Sequence, residues 1–155
     1  MTFHAISMSS ENVGTSSSNL PFRLHHIGFV VPTLEAGQSM FRSLGFPVDT
    51  PKYNDPVQKV TVQFIRPGSD VLIELIAPAQ AESPVSRFLT KHGAGLHHLC
   101  YEVPDIEAAS DWLRQAGSVV TCAPVGAVAF AGRRIAFHYW QRQIVELLES
   151  EKSIV

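Results

Sequence analysis

The sequence predicts an α+β fold: two tandem βαβββ modules forming curved mixed sheets around a shared hollow. Three observations predict it. "LHHIGFVVP" at 24–32 returns as "LHHLCYEVP" at 96–104, a shift of 72 residues. The same shift lays Glu35, Ala36, Arg42 and Gly45 over Glu107, Ala108, Arg114 and Gly117, and "VLIELI" (71–76) over "QIVELL" (143–148). Each copy also runs through strand-like and helix-like hydrophobic periods in the same order. Chance seldom holds one register across a whole module; internal duplication does.

The elements follow in chain order. Residues 1–20, rich in Ser, Asn and Gly, read as a flexible tail. Residues 21–150 read as one domain, with the first module over about 22–77 and the second over about 95–149. Each module opens on an alternating strand, 24–31 or 96–103. Pro32 and Pro104 stop those strands, and Thr33 and Asp105 suit the N-cap of a helix. The helices cover 34–44 and 106–116. Leu34, Phe41 and Leu44 give one its apolar face; Ile106, Ala109, Leu113 and Ala116 give the other. Gly45 and Gly117 suit the position just past each helix. Three strands complete each copy: 47–52, 58–66 and 70–76, then 118–123, 133–140 and 143–149. "RPGSD" (66–70) reads as a turn. Between the modules, "ESPVSRFLTKHG" predicts a linker helix over 83–92, with Ser83 as N-cap, Pro84 in the first turn and Gly93 as stop.

Composition narrows the function. A net charge of −2 argues against nucleic acid or an anionic membrane as partner. Apolar runs are strand-length, so no membrane span is expected. No basic segment precedes an apolar one at the N-terminus, so a cytoplasmic protein without a signal peptide is expected. Cys100 and Cys122 fit no metal-binding spacing and read as free thiols.

Alternation then selects a site. Ile27, Phe29 and Val31 take the helix-facing side of the first strand; His26, Gly28 and Val30 take the other. His98, Cys100 and Glu102 do the same in the second copy. Glu74 and Glu146 point away from Ile73, Leu75, Val145 and Leu147, which face the core. One such histidine alone would read as a hydrogen-bonded core residue, and one such glutamate as solvated. Four in repeat register converge as His26, Glu74, His98 and Glu146. Two imidazoles and two carboxylates suit a divalent ion of borderline hardness: Co, Mn, Ni, Zn or Fe. An octahedral ion would keep two positions for substrate or water. His25 and His97 have the opposite parity and read as structural, bonded to neighbouring backbone. Glu102 reads as a partner of the site or as part of its rim. His138, in "IAFHYW", falls near the hollow.

Paired modules carrying His and Glu at these places resemble the vicinal oxygen chelate superfamily, which has the glyoxalase fold. Within it, "SPVSRFLTKHGAGLHHLCYEVPDIEAA", "IELIAP" (73–78), "GA" (126–127) with "IAF" (135–137), and the terminal "VELLE" resemble the methylmalonyl-CoA epimerases. The resemblance covers about residues 22–150. It implies a metal held by His26, His98 and Glu146, with Glu74 in fourth place. It implies a small-molecule substrate, an acyl-CoA, whose thioester carbonyl and carboxylate chelate the ion. The activity implied is epimerisation by α-proton abstraction with enolate stabilisation, with Glu146 as first base and Glu74 as second. Gln63, Arg134 and His138 are the expected substrate contacts; Arg133 and Arg134 read either as partners of CoA phosphates or as a solvated strand edge. A homodimer is implied as well. Two departures stand out: the strand 59–65 holds no acid, only Lys59 and Gln63 as long polar chains, and "HYWQRQ" (138–143) replaces the usual "HP" and glycine-rich turn. The alternatives are a glyoxalase I-like lyase, a biosynthetic tailoring isomerase, or a non-catalytic small-molecule-binding relative.

Overall fold

In the computed structural model, residues 22–151 are described, apart from positions 49, 67, 69 and 70. The tail expected over 1–20 lies outside the described residues, as does most of the turn expected over 66–70. The first module comprises β1 (Arg23–Val30), α1 (Leu34–Ser43), β2 (Tyr53–Asp55), β3 (Val60–Ile65) and β4 (Leu72–Pro78). The linker helix is α2 (Pro84–His92). The second module comprises β5 (Gly95–Val103), α3 (Ile106–Gln115), β6 (Val119–Gly126), β7 (Arg134–Trp140) and β8 (Gln143–Glu149), with a 3-10 turn at Val128–Phe130.

Local chemistry sets the helix ends. Thr33 Oγ1 accepts from the Ala36 amide at 3.2 Å, and Asp105 Oδ1 from the Ala108 amide at 2.9 Å. Both satisfy amides that a helix start leaves without partners. Gly45 and Gly117 follow the helices with φ of 82° and 90°, a region that costs a glycine little. Ser83 holds the expected N-cap position of α2, but its hydroxyl makes no capping bond. The strand expected over 47–52 is a correction. Among the described residues there, only Val48 bridges, to Ile65, and the paired strand is Tyr53–Asp55. Pro47 and Pro51 have no amide to give a ladder, so pairing waits until both are passed.

The eight strands form a single curled sheet in the order β2-β3-β4-β1-β5-β8-β7-β6. The modules meet edge to edge at an antiparallel β1–β5 pair, and each opening strand runs parallel to its module's last strand. On one face α1 packs Leu34 and Phe41 against Val31, Ile65 and Leu75. On the same face α3 packs Ile106, Ala109 and Leu113 against Val103, Ala136 and Leu147. Each leucine, isoleucine, valine or phenylalanine among them contributes about 1.5–3 kcal/mol when fully buried. The concave face carries the site.

A candidate metal centre at the joint of the modules

Two rows of residues cross the joint. Glu74 on β4 pairs with Gly28 on β1, which pairs with His98 on β5. His26 on β1 pairs with Cys100 on β5, which pairs with Glu146 on β8. In each row a carboxylate and an imidazole flank one small residue, and the large side chains lean together over it. An ideal Cβ on Gly28 would lie 2.2 Å from His98 Cε1, so the imidazole occupies the space a side chain would need. A glycine inside a strand was the signal for this close approach. Sequence reasoning had not used it.

The structure brings His26, Glu74, His98 and Glu146 together, with one ligand atom from each lying within 4.8 Å of the rest. His26 Nε2 and His98 Nε2 are 3.2 Å apart. Glu146 Oε2 is 3.0 Å from both, and Glu74 Oε2 is 3.4 and 3.6 Å from them. Ligands about 2.1 Å from one ion stand about 3.0 Å apart at right angles and about 3.4 Å apart at tetrahedral angles. The four positions therefore fit a single divalent ion. Glu146 Oε2 adds a second fit: it is buried, and no hydrogen bond satisfies it. Near-complete burial of all four groups would be costly without a compensating charge.

Aromatic side chains repeat around the cluster. Phe64 stands edge-on to His26 at 5.9 Å, and Phe137 edge-on to His98 at 5.5 Å. Each comes from the strand next to a ligand glutamate, Phe64 beside Glu74 and Phe137 beside Glu146. Phe130 stacks on His26 at 5.6 Å. Cys100 is wholly buried; burial pushes its thiol well up, and Glu146 pushes it further, so it stays neutral.

Electrostatics show how strongly the four groups act on one another. Burial works to lower the pKa of His26, yet Glu74 and Glu146 outweigh it and push it up to about 10. Burial works to raise that of Glu146, yet His98 and His26 hold its carboxyl well below the usual carboxylate range. Metal-free, a proton on His26 stands in for a cation. Its stabilising effect is full below pH 6.5, the ordinary histidine value, and is lost as pH rises through about 10. A metal bound here would have to expel that proton. Calorimetry in buffers of different ionisation enthalpy should therefore find about one proton released per Co(II) at pH 7, with affinity rising about tenfold per pH unit below 10. A pH-independent affinity would contradict this.

The cluster opens on a cavity of about 390 Å³. Glu74, His98 and Glu146 reach its wall, and Val60, Val62, Ile76, Val85, Phe130, Ile135 and Ile144 make most of the rest. Gln58 and Cys122 line it too, with Gln58 Nε2 3.9 Å from the Cys122 sulfur.

Three expected substrate contacts lie elsewhere. Phe64 and Phe137 share the ligand face, so their strand neighbours Gln63 and His138 turn to the helix face. Gln63 donates to the Thr50 carbonyl and accepts from Gln38 of α1, each at 2.6 Å. His138 is wholly buried between Ser110 Oγ at 2.8 Å and Ser118 Oγ at 2.9 Å. Arg134 is tied to Glu107 of α3 and to Glu149, with Nε 2.8 Å from a Glu149 oxygen. Glu102 pairs with Arg23 and Arg133. Replacing His138 by leucine leaves two buried hydroxyls without partners. Denaturant unfolding should show a loss of about 2 kcal/mol, with activity per folded molecule unchanged.

The model of the glyoxalase/bleomycin resistance protein/dioxygenase superfamily matches residues 25–137. The chain belongs to that superfamily. An ethylmalonyl-CoA/methylmalonyl-CoA epimerase of Cereibacter sphaeroides is 40% identical over 74% of this chain and 86% of its own length. The Mycobacterium tuberculosis methylmalonyl-CoA epimerase superposes with a TM-score of 0.72 at 26% identity, over 84% of this chain and 89% of that one. A variant of the Streptomyces coelicolor methylmalonyl-CoA epimerase, in complex with 2-nitronate-propionyl-CoA, gives 0.71 at 26% identity, over 83% and 94%. This superfamily member is an epimerase-like isomerase. Among its described residues, no helix is long and apolar enough to cross a membrane.

Proposed function

We propose that this chain is a metal-dependent epimerase of a 2-substituted malonyl-CoA thioester, working by removal and return of the α-proton. The observation that carries the reading is the cluster of His26, Glu74, His98 and Glu146, three of which reach the wall of an apolar cavity. A divalent ion held by His26, Glu74, His98 and Glu146 would supply Lewis acidity, making the hydrogen α to a thioester carbonyl easier to remove.

The chain's own residues do the rest. Glu146 stays ionised under the influence of His98 and His26 and reaches the cavity wall, where its carboxylate can accept a proton. Glu74 reaches the same cavity from the other module, so the two carboxylates approach from different sides of the joint. Epimerisation needs a proton acceptor on each face of a flattened α-carbon. Gln63 leaves no rival on β3, because it is spent on Gln38 and Thr50. The valine, isoleucine and phenylalanine wall accommodates the α-substituent and limits water around the reacting carbon.

Two wider features belong to the same reading. Leu99 and Trp112 lie exposed on the helix-bearing face and suit a homodimer, which light scattering would test. Two free thiols, Cys100 and Cys122, suit a cytoplasmic setting.

The decisive experiment incubates the full chain, loaded with Co(II) or Mn(II), with methylmalonyl-CoA in deuterium oxide. Mass spectrometry should show one deuterium entering at the α-carbon. No incorporation, with turnover of a glutathione hemithioacetal instead, would move the protein to a glyoxalase I-like lyase.

A further inference from the structure

We propose that His25 and His97 are positioning residues: each holds Nδ1 of the neighbouring ligand histidine and so turns that ligand's Nε2 toward the cluster. One β-bulge in each module serves to place them. Consecutive side chains on a regular strand point to opposite faces, which would send His25 and His97 to the helix side. They do not go there. His25 Nδ1 lies 2.9 Å from His26 Nδ1, and His97 Nδ1 lies 3.0 Å from His98 Nδ1. Both ring pairs have centroids 5.2 Å apart and planes crossed at 79°. Two independent copies of one geometry point to a built feature.

The strand ladder explains how this arises. Between β1 and β5, Leu24 pairs with Tyr101 and His26 with Cys100, so His25 is skipped. Farther along, Gly28 pairs with His98 and Phe29 with Leu96, so His97 is skipped. Each is the extra residue of a bulge, the device that bends a strand and re-aims a side chain.

The chemistry follows from imidazole's two nitrogens. A neutral ring that offers Nε2 to a cation carries its hydrogen on Nδ1, and in a buried site that hydrogen needs an acceptor. Here the acceptor is a second imidazole. Such an acceptor brings no charge, so two carboxylates and a dication still sum to zero; acceptor carboxylates would leave the buried site negative. Each positioning ring is itself backed by an aromatic edge: Phe130 at 5.6 Å from His25, and Phe88 of α2 at 5.0 Å from His97.

The inference rests on the metal reading of the cluster, and its test separates the two. Full-length wild type and the variants His25→Leu, His97→Leu, His25→Asn and His97→Asn are titrated with Co(II), following the visible absorption of the bound ion. Far-ultraviolet circular dichroism of each metal-free chain checks its fold. The leucine variants should bind about 10–100-fold more weakly and show an altered spectrum. The asparagine variants, whose carbonyl can accept the Nδ1 hydrogen, should bind within about threefold of wild type. Leucine variants that bind like wild type would overturn the inference, as would asparagine variants as weak as leucine ones. Wild type that takes up no Co(II) would overturn the metal reading along with it.

Discussion

Gly28→Ala should lower Co(II) affinity at least a hundredfold and destabilise the metal-free protein by about 1–3 kcal/mol. The added methyl would lie 2.2 Å from His98 Cε1 and 2.5 Å from both ring nitrogens, well inside van der Waals contact. The ring has little room to yield. His97 holds its Nδ1 at 3.0 Å, and Phe137 stands edge-on at 5.5 Å. If the ring moves, Nε2 leaves a cluster whose atoms now lie 3.0–3.6 Å from it. Cys100→Ala is the comparison variant, because Cys100 holds the corresponding middle place in the other row and alanine there adds no atom near a ring, removing only the sulfur and its contact with Glu146. Co(II) titration and thermal unfolding read both variants. Normal binding by Gly28→Ala would show that packing against this glycine does not set the ligand geometry.

Glu146→Gln should cut deuterium incorporation by about 10²–10⁴-fold while Co(II) still binds, more weakly. The amide oxygen can coordinate, but it cannot take a proton. His98 and His26 hold the Glu146 carboxyl well below the usual carboxylate range, so it is ionised and ready to accept a proton, although they also weaken it as a base. Glu74→Gln separates the two carboxylates. If Glu74 serves one face of the carbon, its variant will exchange deuterium into one epimer without interconverting the pair. If it is only a ligand, both rates will fall less than about tenfold. Wild-type exchange by Glu146→Gln would remove Glu146 as a base.

Much of the architecture was legible because the chain states it twice. Thr33 and Asp105 cap as their side chains dictate, and Gly45 and Gly117 end the helices, because these are interactions between near neighbours. The two histidines and two glutamates were found by their repeat spacing. The second strand was displaced because its expected span was bracketed by Pro47 and Pro51, which cannot donate to a ladder. Gln63 and His138, expected as substrate contacts, lie off the cavity because their face depends on register: Phe64 opposite Glu74 and Phe137 opposite Glu146. No local pattern within β3 or β7 encodes that pairing.

The chain's own order of residues settled the duplication, the helix boundaries and which two histidines and two glutamates share repeat register, since each follows from spacing or from contacts a few residues long. Tertiary structure alone settled which small residue lies between the ligands of each row, and which histidines escape simple alternation. A period of two assigns faces only while the ladder is unbroken. At His25 and His97 it breaks, and it breaks because hydrogen bonding between two strands far apart in the chain skips one residue on each.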